Sequence, residues 1–194
     1  MMESDLGPFL ARERAAAIQW ARDLLTRGDW LILDTETTGL GPEAEIVEIG
    51  ILSRDGEILL NAQIRTRRPI PAEATAIHGI TNERVRYLDS YHRWHPWIYW
   101  YLHGRLAVIY NAAYDVRILH QTATSYDLPL PVGAYACAME QYARFVGEWS
   151  DYHQSFRWQK LPPVPGESAH SAIADCRATL ALIKRMAEAK EDGE

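Results

Sequence analysis

Residues 30–40 read WLILDTETTGL, and this stretch decides the fold. Trp30 to Leu33 form a short, continuous apolar run, which is typical of a strand buried on both faces of a sheet. Asp34 follows directly, and a carboxylate at the end of a buried strand is costly unless it binds a ligand or accepts hydrogen bonds. The stretch therefore predicts a buried strand that ends in a candidate site.

Apolar patterning on both sides of this strand predicts an alternation of helices and strands. Arg54-Asp55-Gly56 lies between two strand-like runs, and Asp-Gly in that position is a strong hairpin signal. The predicted elements are a helix over 8–27, strands over 46–53 and 57–65, short helices within 72–87, a strand over 105–110, a helix over 114–124, a strand near 134–137 that leads into a helix ending near 146, and a helix over 171–188. This order predicts an α/β fold, a mixed β-sheet flanked by helices in a single domain.

The domain boundaries follow from the same patterning. We expect an N-terminal helix within residues 1–28 that packs on the domain, a main domain over 29–190 and a frayed acidic tail over 191–194. The first residues lack the apolar segment of a secretory signal, and no apolar run approaches the length of a membrane span. We therefore expect a cytoplasmic protein with no membrane partner.

The charge balance argues against a protein that holds nucleic acid by bulk charge, because 20 basic and 26 acidic residues give a net charge of −6. The charge is uneven, since residues 54–105 contain 8 basic and 5 acidic residues, or +3. This region is either a local surface that contacts phosphates or a set of scattered, solvated arginines. The two cysteines, Cys137 and Cys176, are too few for a disulfide framework and are not spaced for zinc.

Three short acidic segments are candidate metal ligands. Asp34 and Glu36 are two residues apart, so in an extended chain they share one face and can bind one cation. Asp115 follows the second buried strand, and Asp175 lies about one turn into the last helix, five residues after His170. Each segment also has a structural explanation: a turn at a strand end for the first pair, a favourable charge at a helix N-terminus for Asp115 and Asp175, and a loop histidine for His170.

If the three segments converge, four carboxylates would repel one another and their pKa values would rise. Divalent cations would neutralise that charge, and carboxylate oxygens are the ligands that magnesium and manganese prefer. Convergence therefore predicts two divalent cations, Mg²⁺ or Mn²⁺.

The sequence resembles the DEDDh 3′–5′ exonucleases, a family that includes the proofreading subunits of bacterial replicative DNA polymerases. The resemblance rests on DTETTGL at 34–40, NAAYD at 111–115 and HSAIAD at 170–175, with the secondary signature IHGIT at 77–81. These motifs stand in the family's order and cover nearly the whole chain. A histidine five residues before Asp175, with serine at 171, places the chain in the histidine branch of the family.

The resemblance implies a ribonuclease H-like fold and a role for each motif residue. One cation would be held by Asp34, Glu36 and Asp175 and the second by Asp34 and Asp115. His170 would be the general base, since imidazole titrates near neutral pH. The residues expected to bind the terminal nucleotide are Thr37, Thr38, Leu40, His78, Asn111 and Tyr114. For His78 the alternative is a histidine that only ends a short helix before Gly79.

Two positions depart from the family pattern, because Tyr110 stands where the family often has histidine and Tyr114 where it often has phenylalanine. Both keep an aromatic ring. We expect a metal-dependent 3′–5′ exonuclease that acts alone on single-stranded or frayed nucleic acid, with DNA as its substrate, and releases nucleoside 5′-monophosphates. The alternatives are an RNA-trimming exoribonuclease and a nuclease-fold accessory subunit of a polymerase or repair assembly.

An aromatic segment over 91–103, YHRWHPWIYWYLH, has two interpretations. Trp94, Trp97, Ile98, Tyr101 and Leu102 follow helical spacing, which predicts a stripe that packs against the sheet. The residues off this stripe, Tyr91, Tyr99 and Trp100, are candidates for stacking on single-stranded bases.

Overall fold

The computed structural model describes residues 3–166 and 170–190, and the predicted tail over 191–194 lies outside the described residues. The elements in chain order are α1 (Glu3–Thr26), β1 (Trp30–Thr37), β2 (Ile46–Ser53), β3 (Ile58–Gln63), α2 (Ala72–His78), α3 (Asn82–Val85), α4 (Tyr91–Leu102), β4 (Leu106–Ile109), α5 (Ala112–Ser125), β5 (Ala134–Cys137), α6 (Ala138–Val146), β6 (Trp149–Ser150), β7 (Ser155–Phe156) and α7 (Ala172–Glu188).

The main sheet has five strands in the order β3-β2-β1-β4-β5. β1 pairs antiparallel with β2 and parallel with β4, so the sheet is mixed, as predicted. β2 and β3 form the predicted hairpin, and β6 and β7 form a separate two-stranded ribbon. The central position of β1 places the DTETTGL motif in the middle of the sheet.

The strand β1 is longer than the sequence predicts. It continues through Thr37, so Asp34 and Glu36 lie within the strand and do not follow its end. The cause is the partner strand, because β2 keeps pairing along this stretch and places Gly50 opposite Asp34 and Glu48 opposite Glu36. The extended backbone therefore directs the two carboxylates to the same face.

Helices cover both faces of the sheet. Leu31 and Leu33 point to a core that they share with α4 and α5, whereas Trp30 and Ile32 point to the opposite core, which α1 and α7 complete. The continuous apolar run before Asp34 therefore marks a strand buried on both faces, as its pattern indicates.

Two helix starts differ from the sequence-based prediction. α1 begins at Glu3, which places Pro8 in its second turn and not in its first. α5 begins at Ala112, two residues early, because Asn111 takes a left-handed conformation (φ 66°) and ends the preceding turn. Asp115 consequently lies in the first turn of α5.

The aromatic segment forms α4, but its buried face is rotated from the predicted stripe. Ile98 and Leu102 are buried as predicted, whereas Trp97 is exposed. Tyr91 is fully buried, so the suggestion that it stacks on bases is wrong. Within residues 3–166 and 170–190, no helix is both long enough and apolar enough to cross a membrane.

Candidate active site

Three carboxylates meet beside the central strand. Oxygen atoms of Asp34, Glu36 and Asp175 all lie within 4.8 Å of one another. Asp34 and Glu36 come from one face of β1, and Asp175 comes from the first turn of α7, which packs on β1 and β2. The fold thus brings together residues that are about 140 positions apart in the sequence.

Asp115 joins the site through a threonine that lies between the first two carboxylates. The Thr35 N–H and hydroxyl both donate to Oδ1 of Asp115, at 3.1 and 2.7 Å. Asp115 is buried and lies outside the group of three oxygens, yet its charge helps to raise the pKa of Asp34. Asp115 is therefore close enough to Asp34 to affect its pKa. The second carboxylate oxygen of Asp115, Oδ2, receives no hydrogen bond from Thr35.

The site concentrates negative charge. Burial, followed by the charges of Asp115 and Asp175, raises the pKa of Asp34 far above its ordinary value. Burial and the neighbouring Asp175 raise the pKa of Glu36 to about 8, and burial also raises the pKa of Asp175. Such a set of hard oxygen ligands is neutralised either by protons or by divalent cations, so its chemistry fits magnesium or manganese.

The stability of the metal-free protein should therefore fall as the pH rises. The pKa of Glu36 is about 8 in the folded chain, against an ordinary value of 4.5. When the pKa of an acid is higher in the folded chain than in the unfolded chain, its contribution to stability is complete below the unfolded value. That contribution is lost as the pH rises through the folded value. We expect the free energy of unfolding to fall by on the order of 3 kcal/mol between pH 5 and pH 9.

Chemical denaturation in chelator at several pH values measures this slope. Excess Mg²⁺ should remove most of it, because cations then replace protons at the carboxylates. Glu36→Gln should flatten the slope in chelator. A stability that is equal at pH 5 and pH 9 without metal would contradict the predicted charge cluster.

His170 lies directly before α7 and lines a cavity of about 480 Å³ together with Asp34, Asp175 and Lys160. The histidine is exposed, and its backbone is in the left-handed region (φ 61°). Its ring is thus accessible to solvent at the edge of the acidic cluster. This is a suitable place for a group that exchanges a proton with water.

A second cavity, of about 570 Å³, is lined by Glu36 and by the turn after β1. All six residues expected to bind the terminal nucleotide line it: Thr37, Thr38, Leu40, His78, Asn111 and Tyr114. Leu40 is 80% exposed, so most of its side chain is open to solvent. The Asn111 side chain does not cap α5.

Hydrogen bonds fix the wall of this cavity. The Tyr114 hydroxyl lies 2.5 Å from Thr37 Oγ1 and donates to the Gly39 carbonyl at 2.9 Å, which holds the turn after β1. His78 is the last residue of α2, directly before Gly79, which is the position that the alternative interpretation of this histidine assumes. Its Nδ1 accepts from the Ile80 N–H, so Nε2 carries the proton and faces the Thr37 carbonyl at 3.3 Å.

Sequence reasoning missed two residues of the site. Glu48 is buried on β2 opposite Glu36, and the available signal was a glutamate inside the otherwise apolar run IVEIGILS. Lys160 lines the cavity of His170, where the Tyr110 hydroxyl donates to the neighbouring Gln159 carbonyl at 2.7 Å. No local pattern marks Lys160 in the sequence.

Comparison with known proteins gives the family. The family model described as "Exonuclease" (RNase_T) matches residues 31–183. The uncharacterized exonuclease CP81 of Escherichia phage 186 is 40% identical over 193 residues, covering 89% of this chain and 92% of that protein. Exodeoxyribonuclease 10 of Escherichia coli K12 is 32% identical over 165 residues, covering 78% of this chain and 66% of that protein.

A solved structure agrees with these relatives. Exonuclease X in complex with 5′ overhanging duplex DNA is 27% identical, with a TM-score of 0.57, and the match covers 84% of this chain and 95% of that one. The predicted ribonuclease H-like fold and the resemblance to the DEDDh family are confirmed. The chain belongs to the RNase_T family of exonucleases.

Proposed function

We propose that the protein is a metal-dependent 3′–5′ exonuclease that acts on single-stranded or frayed DNA and releases nucleoside 5′-monophosphates. The observation that carries the proposal is the convergence of Asp34, Glu36 and Asp175 within 4.8 Å, beside the buried Asp115. An accessory subunit without activity would have no need of this complete set of acidic residues.

The proposed roles follow the positions of the side chains. Asp34, Glu36 and Asp175 would hold one divalent cation, and Asp34 with Asp115 would hold the second. When bound, the two cations stabilise the negative charge that develops on the phosphate during in-line displacement. His170 takes the proton of the attacking water, because its ring reaches solvent at the edge of the carboxylates.

The cavity beyond Glu36 would hold the terminal nucleotide. Thr37, Thr38 and Leu40 supply polar and apolar atoms from the turn after β1, and the rings of His78 and Tyr114 also line the cavity. Binding of the terminal nucleotide in this cavity would favour terminal attack over internal cleavage. The DNA preference is supported by the relative named exodeoxyribonuclease and by the solved structure that contains DNA.

A panel of labelled substrates tests this proposal. With Mg²⁺ or Mn²⁺, a 5′-labelled single strand of DNA should give a ladder that descends from the 3′ end. A blunt duplex should be degraded more slowly, because freeing its end costs the energy of unstacking and unpairing. A circular single strand should survive, since it offers no end.

The same panel separates the alternatives. RNA of the same sequence should be degraded more slowly than DNA, and faster degradation of RNA would replace the proposed substrate with the exoribonuclease alternative. Efficient cleavage of the circle would contradict an exonuclease that requires a 3′ end.

A further inference from the structure

Glu48 is a buried carboxylate that the proposed reaction does not use. It lies on β2 directly opposite Glu36, with only 5% of its surface exposed. Its charge contributes to the raised pKa values of Asp34, Glu36 and Asp175. A further acid at this place makes the charge cluster less favourable, so its position calls for a compensating interaction.

That interaction is with the start of α7. The Ala172 N–H, at the first position of this helix, donates to Oε1 of Glu48 at 3.2 Å. The first N–H groups of a helix have no acceptor within the helix, and a carboxylate at this end is also favoured by the helix dipole. Ser171, the residue before the helix, makes no side-chain cap. Glu48 therefore caps α7 from the neighbouring strand.

A second set of contacts fixes Glu48 itself. The Gln63 side-chain amide donates to Oε2 of Glu48 at 3.1 Å, and Oε1 of Gln63 accepts from Nε of Arg84 at 2.7 Å. Because the Gln63 oxygen accepts a hydrogen bond from arginine, its NH₂ group is the end that faces Glu48. Both carboxylate oxygens of Glu48 thus have defined partners.

The close approach of α7 also depends on Gly50, which pairs with Asp34 and lies on the same face of β2 as Glu48. A Cβ atom on residue 50 would lie 2.8 Å from the Ala172 carbonyl carbon and 2.9 Å from the Ile173 nitrogen. The first turn of α7 therefore packs directly against the backbone of Gly50. It is also hydrogen-bonded to Glu48, two residues earlier on β2. Both contacts involve the first turn of α7.

We propose that Glu48 is a positioning residue that holds the first turn of α7 against the sheet, so that Asp175 reaches Asp34 and Glu36. The Asp175 N–H donates to the Ser171 carbonyl at 3.0 Å, so movement of the first turn moves Asp175 with it. This inference rests on the proposed function, because it assigns Glu48 a purpose in assembling the metal ligands.

The test compares Glu48→Ala, Glu48→Gln and a control, Ile183→Ala, which removes buried side-chain volume from the C-terminal half of the same helix. Amide hydrogen exchange of the metal-free proteins reports the link directly, because the Ala172 N–H has Glu48 as its acceptor. In Glu48→Ala we expect this amide to exchange at least about 10-fold faster. Glu48→Gln keeps an acceptor oxygen and should retain most of the protection.

Calorimetric titration with Mn²⁺ supplies the second readout. Glu48→Ala should lower the affinity by about 10- to 100-fold, the usual range for a residue that orients metal ligands. Glu48→Gln should recover part of that affinity. Ile183→Ala should lower the melting temperature and leave the Mn²⁺ affinity within about 2-fold of wild type, since it does not touch the first turn.

Wild-type exchange of Ala172 in Glu48→Ala would overturn the proposal. Faster exchange with unchanged Mn²⁺ affinity would overturn it as well, since Asp175 would then be placed by other contacts. If the wild-type protein binds no Mn²⁺ and degrades no DNA, the proposed function fails. The exchange of the Ala172 and Asp175 amides then decides by itself whether Glu48 holds the first turn.

Discussion

Replacement of Asp34 by asparagine is expected to lower the rate of nucleotide release by at least about 10³-fold while the fold stays intact. Asp34 is the proposed ligand shared by both cations, and it lies at the centre of the acidic cluster. In chelator near pH 8, the variant should be more stable than wild type, because it lacks a buried carboxyl with a strongly raised pKa.

Rates at saturating Mg²⁺ and melting curves in chelator measure the two effects. The control is Asp55→Asn, because Asp55 lies in the exposed turn between β2 and β3, at the opposite end of the sheet. This control should keep wild-type activity. An Asp34→Asn protein with wild-type activity after chelation and return of Mg²⁺ would remove the assignment of this cluster as the active site.

Replacement of His170 by alanine should lower the rate by about 10²- to 10⁴-fold, the usual span for a positioned general base. Metal affinity should change little, because His170 is not among the proposed ligands. The wild-type rate should rise with pH as the general base loses its proton, and this rise should flatten in the variant.

A pH–rate series at saturating Mn²⁺, with a calorimetric Mn²⁺ titration beside it, tests both statements. His103→Ala is the matched control, since His103 is an exposed histidine at the end of α4. If His170→Ala keeps the wild-type rate and the same pH dependence, the general-base role is wrong. If the variant loses metal affinity, His170 is a ligand.

The site residues that could be predicted from the sequence are those whose positions depend on nearby residues in the chain. The alternation of an extended strand puts Asp34 and Glu36 on one face without knowledge of any partner. The end of a second buried strand likewise locates Asp115 close to the start of α5. Such positions depend on the geometry of one element and its neighbour along the chain.

Glu48 and Lys160 could not be placed in the same way. The role of Glu48 depends on the register of β1 with β2 and on its hydrogen bond with Ala172 of α7, which lies 124 positions away in the sequence. Lys160 reaches its cavity through an irregular segment, whose path is set by tertiary contacts such as the one between Tyr110 and Gln159. Neither contact leaves a periodic signal.

The helix α4 shows the limit of periodicity itself. Aromatic side chains lie on almost every side of this segment, so several rotations of the helix give an acceptable apolar stripe. The structure selects a face that includes Tyr91 and His95, and the buried His95 ring is satisfied by the Pro129 carbonyl at 2.7 Å. A polar residue in the buried face cannot be recognised from hydrophobic spacing.

The measurement that tests the central claim most directly is the rate of nucleotide release from 5′-labelled single-stranded DNA as Mn²⁺ is added back to chelated protein. The proposed site predicts no release without metal, a rate that rises to saturation with Mn²⁺, and a product ladder that shortens from the 3′ end. Undiminished release in the presence of chelator, or immediate loss of the 5′ label as a mononucleotide, would contradict it.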